Sequence, residues 1–212
     1  QKELKISINI SNYGGSNRID YYVDTKVKEC NINVLFVPTV EIGRILYKYK
    51  NSILKFNPRS FLDLASGSVN QNIKESITNI KTNDFALFNN GITMLSDNTY
   101  YSDRVGKKNE AELIVTNPQI INGWYKRIST GLLNEETITN GLKPRFFENK
   151  EVLLKVITFR SEDDAAEDID DEKLALIESI SKATNNQTVV TEADRRSNDK
   201  IQVFLQQSIF ND

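Results

Sequence analysis

Period-two alternation at the start of the chain constrains the fold more than any other feature. Leu4, Ile6, Ile8 and Ile10 alternate with polar residues, which marks a strand with one face buried. Residues 19–27 and 33–37, rich in Tyr, Val, Ile and Phe, read as two further strands, and Pro38 ends the second. The period then changes. Ile42, Ile45, Leu46 and Tyr49 fall at i, i+3, i+4 and i+7, which predicts a helix that Thr39 can cap.

Later segments mix both periods. Residues 69–80 suit a weaker helix. Two apolar runs, 85–88 and 92–95, are split by Asn89-Asn90-Gly91, a strong local hairpin signal. Residues 112–116 form a strand that 118–121 extends, and 123–133 suit a helix. Residues 134–150 are a polar loop, and 152–159 are a strand. An acidic run over 162–172 leads into a helix over 173–183, where Asp170 and Asp171 suit the positive end of the helix dipole. Thr191 caps a last helix with Ile201, Phe204, Leu205 and Ile209 inward. Strands first, then strands and helices together, predict an α+β (mixed α/β) fold: a largely antiparallel or mixed sheet with flanking helices.

The 212 residues suit one domain with a substantial core. A net charge of -2 gives no global basic field, so nucleic-acid contact would need a local patch. Cys30 is the only cysteine, which excludes an internal disulfide and a paired-thiol metal or redox site and fits the cytoplasm. No run approaches the ~18 apolar residues of a membrane span. The chain does not begin with methionine, and residues 210–212 fall inside a helical pattern. It therefore reads as part of a longer protein, although N-terminal processing would equally remove a methionine.

There is no histidine at all. Ser-His-Asp and Cys-His nucleophile systems cannot be built from this chain, and histidine-ligated metal sites are disfavoured. The P-loop and the GxGxxG turn are also missing. Carboxylate sites for Mg²⁺ remain open. Glu148, Glu151 and Lys155 offer acids and a lysine on or beside a strand, as a metal-dependent nuclease would use. Glu151 and Lys155 are four residues apart rather than forming a tight Glu-x-Lys pair, and an ordinary strand with charged rim residues explains them equally.

The remaining chemistry lies in asparagine-centred motifs. Asn89, Asn90 and Gly91 suit a turn on steric grounds alone. Asn122 and Gly123 stand between a strand and a candidate helix, where backbone N–H groups can hold an anion. Asn57 precedes Pro58 and Arg59, whose guanidinium can grip phosphate or pair with an acid of the domain. Asn185, Asn186 and Gln187 can read bases or cap helix ends. Arg195 and Arg196, followed by Asn198 and Asp199, form the best local basic point.

As an ordered set these segments resemble the AIPR family, bacterial proteins associated with abortive-infection phage resistance. The resemblance rests on Asn57-Pro58-Arg59-Ser60-Phe61-Leu62, Val69-Asn70 with Ile73, and Phe88-Asn89-Asn90-Gly91-Ile92-Thr93. It continues through Asn117-Pro118-Gln119-Ile120-Ile121-Asn122-Gly123, Ala183-Thr184-Asn185-Asn186-Gln187-Thr188 and Arg196-Ser197-Asn198-Asp199. It implies an AIPR-like domain over 38–212, forming one unit with an N-terminal strand region over 1–37. More distantly, the strand–Asn-Gly–helix segment looks like the DGQHR-motif proteins with a ParB-like core, which would imply a nucleotide or nucleic-acid pocket around Asn122 and Gly123. Where members of the AIPR family usually follow Asn-Gly with a small residue, Gln and Thr, this chain has Trp124, Tyr125 and Lys126. Trp124 and Tyr125 could stack a base beside Lys126, or Trp124 could pack in the core.

Three functions follow as expectations. The first is a phage-defence module binding nucleic acid or nucleotide through an Asn/Arg-lined pocket. The second is a metal-dependent nuclease. The third is a module that recognises a phage component and acts on the remaining parts of a longer chain.

Overall fold

The computed structural model describes residues 3–10, 18–26, 29–57, 76–79, 84–87, 89–103, 108–122, 145–159 and 171–185. Eight strands run in chain order: β1 (Glu3–Asn9), β2 (Arg18–Asp24), β3 (Glu29–Pro38), β4 (Ile92–Ser96), β5 (Asn98–Ser102), β6 (Glu110–Thr116), β7 (Gln119–Asn122) and β8 (Glu151–Phe159). Helix α1 (Thr39–Tyr49) follows β3, and helix α2 (Asp171–Asn185) follows β8.

They form two sheets. The smaller has the order β1-β6-β5 and is antiparallel. The larger has the order β2-β3-β8-β4-β7, antiparallel except for the parallel β4–β8 pair. The fold is α+β with a mixed sheet, as the order of periods predicts. β1 pairs with β6 and β3 with β8, so the N-terminal strands are woven into both sheets.

The β4–β5 and β6–β7 segments form one long ribbon that bends from the larger sheet into the smaller. The bend lies at Asp97 and Asn117. Asn117 holds a left-handed φ of 48°, and its Nδ2 donates to Asp97 Oδ2 at 2.8 Å. Ser96 Oγ lies 2.5 Å from the Asn98 carbonyl, to which it donates, and 2.9 Å from the Thr116 carbonyl, and it accepts from the Thr116 N–H across the same corner. The backbone is paired there too, with the Asp97 N–H donating to the Thr116 carbonyl at 3.0 Å, so the corner leaves that acceptor satisfied.

Alternation sorts the core into two layers. Leu4, Ile6, Ile8, Leu113 and Val115 of the smaller sheet meet Leu35, Val37, Leu154, Val156 and Met94 of the larger, with Ile42, Ile45 and Leu46 of α1 closing the layer. On the opposite face of the larger sheet, Cys30, Leu95, Ile121, Ile157 and Phe159 pack against Ile177 of α2. Both faces of the central strands are thus buried, which explains why β4 is buried at every position. Each fully buried Leu or Ile contributes about 1.5–3 kcal/mol relative to exposure.

Two local expectations are corrected. Residues 84–87 form a 3-10 turn, not a hairpin strand. β4 has β8 on one side and β7 on the other, so no edge remains for them. Asn89 Oδ1 accepts from Gly91 N–H at 2.8 Å, making an Asx turn in which Gly91 alone of the three has positive φ, at 83°. Nor does the Thr39 hydroxyl cap α1. It is buried without a hydrogen-bond partner among the described residues, while its N–H donates to the Lys150 carbonyl at 2.9 Å. β3 runs straight into α1, so Thr39 sits inside the first turn rather than before it. The helices expected over 123–133 and after Thr191 lie outside the described residues, as does that over 69–80 except for residues 76–79.

Candidate functional site

The C-terminal end of α2 gathers three of the asparagine motifs. Asn122 Nδ2 donates to the Thr184 carbonyl at 2.7 Å. Asn185 Nδ2 donates to the Ile121 carbonyl at 2.8 Å and to the Ser181 carbonyl at 2.7 Å. Ser181 Oγ donates to the Phe56 carbonyl at 2.9 Å. Next to Phe56, Asn57 is 2% exposed, with its N–H on the Leu54 carbonyl. Asn122 and Asn185 therefore meet although they are far apart in sequence, and Phe56, the residue before Asn57, is tied to the helix one turn earlier. The last carbonyls of a helix have no partners within the helix, and here the Asn122 amide reaches one of them, that of Thr184.

A β-bulge aims Asn122. Thr93 pairs with Asn122 and Met94 with Ile120, which leaves Ile121 as the extra residue. In a regular strand Asn122 would share the face of Ile120, which points into the layer below α1. The extra residue turns Asn122 to the α2 side, where Ile121 also packs.

The same register aligns a polar row on that side. Val34 pairs with Lys155, Lys155 with Thr93, and Thr93 with Asn122. Adjacent strands stand about 4.8 Å apart, so Lys155, Thr93 and Asn122 occupy roughly 10 Å of one face. Rows on either side are apolar: Ile32, Ile157 and Leu95 on one, Phe36 and Leu153 on the other. Lys155 is partly buried and makes no ion pair among the described residues. Thr93 is 7% exposed. Asn89, Asn90 and Gly91 enter β4 at this same end of the sheet. A Cβ on Gly91 would lie 2.8 Å from the Leu153 carbonyl oxygen, so only glycine lets the two strands approach.

Glu151 shares the face of Lys155 at the start of β8, and half-burial pushes its carboxyl above the usual carboxylate range. The two are four residues apart, about 13 Å along the strand, which is too far to hold one metal-bound water between them. Glu148 is exposed in the turn before β8. Among the described residues no three acidic or sulfur ligands cluster to hold a metal ion. A separate cleft of about 400 Å³, between Leu4, Tyr49, Ser52, Asn117 and Gln119, has no charged lining among the described residues, and the Gln119 amide there is tied to Ser52 and Lys55.

Arg59, Gly123, Trp124, Lys126, Asn186, Gln187, Arg196, Asn198 and Asp199 lie outside the described residues. Thr93 and Lys150 were not singled out from sequence. Thr93 belongs to the Phe88–Thr93 motif, which could have flagged it. Lys150, 2% exposed and donating to the Asn79 carbonyl at 2.8 Å, carries no sequence signal beyond a charge before a strand.

No curated protein and no solved structure matches the chain. No helix among the described residues is long and apolar enough to cross a membrane. A family model does match, described as AIPR protein, over residues 54–212, and it lends nothing to the ParB-like link. The match begins at Leu54, after β1 to β3 and α1, and takes in every asparagine motif described above. The chain belongs to the AIPR family, whose members are associated with abortive-infection phage resistance.

Proposed function

We propose that this domain serves phage defence by binding a nucleotide or a nucleic-acid strand on the α2-side face of the larger sheet. The observation that carries this reading is the row Lys155–Thr93–Asn122, with a lysine that no acid of the described residues neutralises. An ammonium held partly out of water beside a hydroxyl and an amide suits a phosphate oxygen. Asn122 and Asn185 act as positioning residues, since their Nδ2 groups hold the helix end. Groups that would touch the ligand follow them along the chain: Gly123, Trp124 and Lys126 after Asn122, Asn186 and Gln187 after Asn185, and Arg59 after Asn57. Arg196, Asn198 and Asp199 complete the candidate set.

The test is equilibrium binding of a fluorescent mixed-sequence oligonucleotide, single- and double-stranded, and of ATP, across a salt series. Lys155→Gln should weaken binding about tenfold and reduce the salt slope by about one. Absence of binding at low salt to all three probes, or binding that Lys155→Gln leaves unchanged, would overturn the proposal.

A further inference from the structure

β2 is an edge strand of the larger sheet, pairing with β3 on one side and with no described strand on the other. Its side chains are unusual for an edge. Ile19, Tyr21 and Tyr22 are 66%, 63% and 65% exposed. Edges are normally blunted by proline, lysine or a bulge, because open N–H and C=O groups invite a further strand. Arg18–Asp24 holds no proline and no lysine, and its register with β3 runs unbroken for seven residues.

The sequence of this edge is complementary to itself. Placed antiparallel to a second copy with Tyr21 on the two-fold axis, Arg18 faces Asp24, Ile19 faces Val23, and Asp20 faces Tyr22. Every pair is chemically matched: cation with carboxylate, apolar with apolar, carboxylate with phenol. A register shift loses this: moving the axis to Tyr22 sets Asp20 against Asp24, a like-charge pair across strands. Asp24 is exposed, and Arg18 already reaches Asp20 at 2.6 Å while stacking 4.6 Å over the Tyr101 ring. The guanidinium is thus fixed at the edge, beside the position that Asp24 of a second copy would take.

We infer that β2 is a homodimer interface, at which two copies of this chain join edge to edge, antiparallel about Tyr21, into one continuous sheet. A two-fold interface uses the same patch on both copies, so each charge pair and each apolar pair occurs twice. The Ile19–Tyr21–Val23 side of the joined strands lies on the α2 side of the sheet, where Val23 already packs against the core. The inference is independent of what the Lys155 row binds.

Sedimentation equilibrium on the 212-residue chain over micromolar concentrations tests it. The chain should be a dimer whose dissociation constant rises at least about tenfold with Asp24→Arg, which sets cations opposite each other twice. Tyr21→Lys should do the same by placing two ammonium groups on the axis. Combining Asp24→Arg with Arg18→Asp swaps the pair and should bring the dimer back. Tyr21 and Asp24 are exposed and Arg18 is partly buried at the same edge, and circular dichroism checks that each variant folds. A monomer at all concentrations would overturn the inference and leave the edge to a different protein. A dimer indifferent to Asp24→Arg and Tyr21→Lys would overturn it too, by placing the interface elsewhere.

Discussion

Asn122 donates through Nδ2 to the carbonyl of Thr184 at 2.7 Å, fastening the end of β7 to the last turn of α2. The neighbouring bond from Asn185 back to Ile121 makes the fastening reciprocal. Removing the amide with Asn122→Ala should cost about 1–2 kcal/mol, because the helix carbonyl loses a partner in a partly buried place. Asn122→Asp should cost more at neutral pH, since a carboxylate would face the negative end of the helix dipole. That carboxyl would titrate higher when folded than when unfolded. Its excess cost should therefore be absent below about pH 4 and grow as pH rises. Urea unfolding at pH 4 and pH 7 measures both. Equal stability of the two variants at pH 7 would show that the amide does not point at the helix end.

Gly91 should be irreplaceable. Its φ of 83° is one that side chains rarely adopt, and a Cβ would meet the Leu153 carbonyl oxygen at 2.8 Å. The dihedral alone costs about 1–3 kcal/mol for alanine, and the backbone of β8 cannot yield without breaking its ladder with β4. Gly91→Ala should lower the unfolding midpoint sharply. A Gly91→Ala protein of unchanged stability would mean that the two strands separate more readily than their pairing implies.

Glu151 makes stability depend on pH. Half-burial raises its folded pKa, so the folded state holds this proton more tightly than the unfolded state does. Its contribution is full below the ordinary value of 4.5 and is lost as pH rises through the higher folded value. Glu151→Gln should therefore leave stability unchanged at pH 4 and raise it at pH 7, read as a shift of the thermal midpoint. A shift of the same size at both values would exclude titration as the cause.

The strands of this fold were legible because alternation is written in the residues themselves. Leu4, Ile6 and Ile8 point inward as their spacing predicts, and so do Ile42, Ile45 and Leu46 of α1. Relations set by pairing were not legible. Asn89-Asn90-Gly91 reads locally as a hairpin turn, yet the partners of β4 come from residues 119–122 and 151–159, which no local pattern reveals. The Lys155–Thr93–Asn122 row depends on the bulge at Ile121, and a bulge of one residue leaves no trace in composition. The resemblance picked out Asn57, Asn122 and Asn185 without telling what their amides do. Structure shows that those of Asn122 and Asn185 tie β7 to a helix end, and that Lys155, considered from sequence only as part of a nuclease strand, stands two strands from Asn122 on the same face.

Cys30 offers a probe of the β2 edge itself. It is 5% exposed, between Val23 of β2 and Phe159 of β8 in the register, and burial pushes its thiol above the ordinary value of 9.0. The thiolate is the reactive form, so the folded protein should label at pH 8 with a dithiobenzoate reagent on the order of a hundredfold more slowly than the urea-unfolded chain. Reaction then requires an opening of the layer in which Cys30 packs, between Val23 of β2 and the α2 side of the sheet. If two copies shield that edge, labelling should slow further as protein concentration rises through the dimer range, and Asp24→Arg should remove the concentration dependence without changing the rate in dilute solution. Fast labelling of the native protein at every concentration would show that the layer around Cys30 opens freely and that a second copy does not hold it closed.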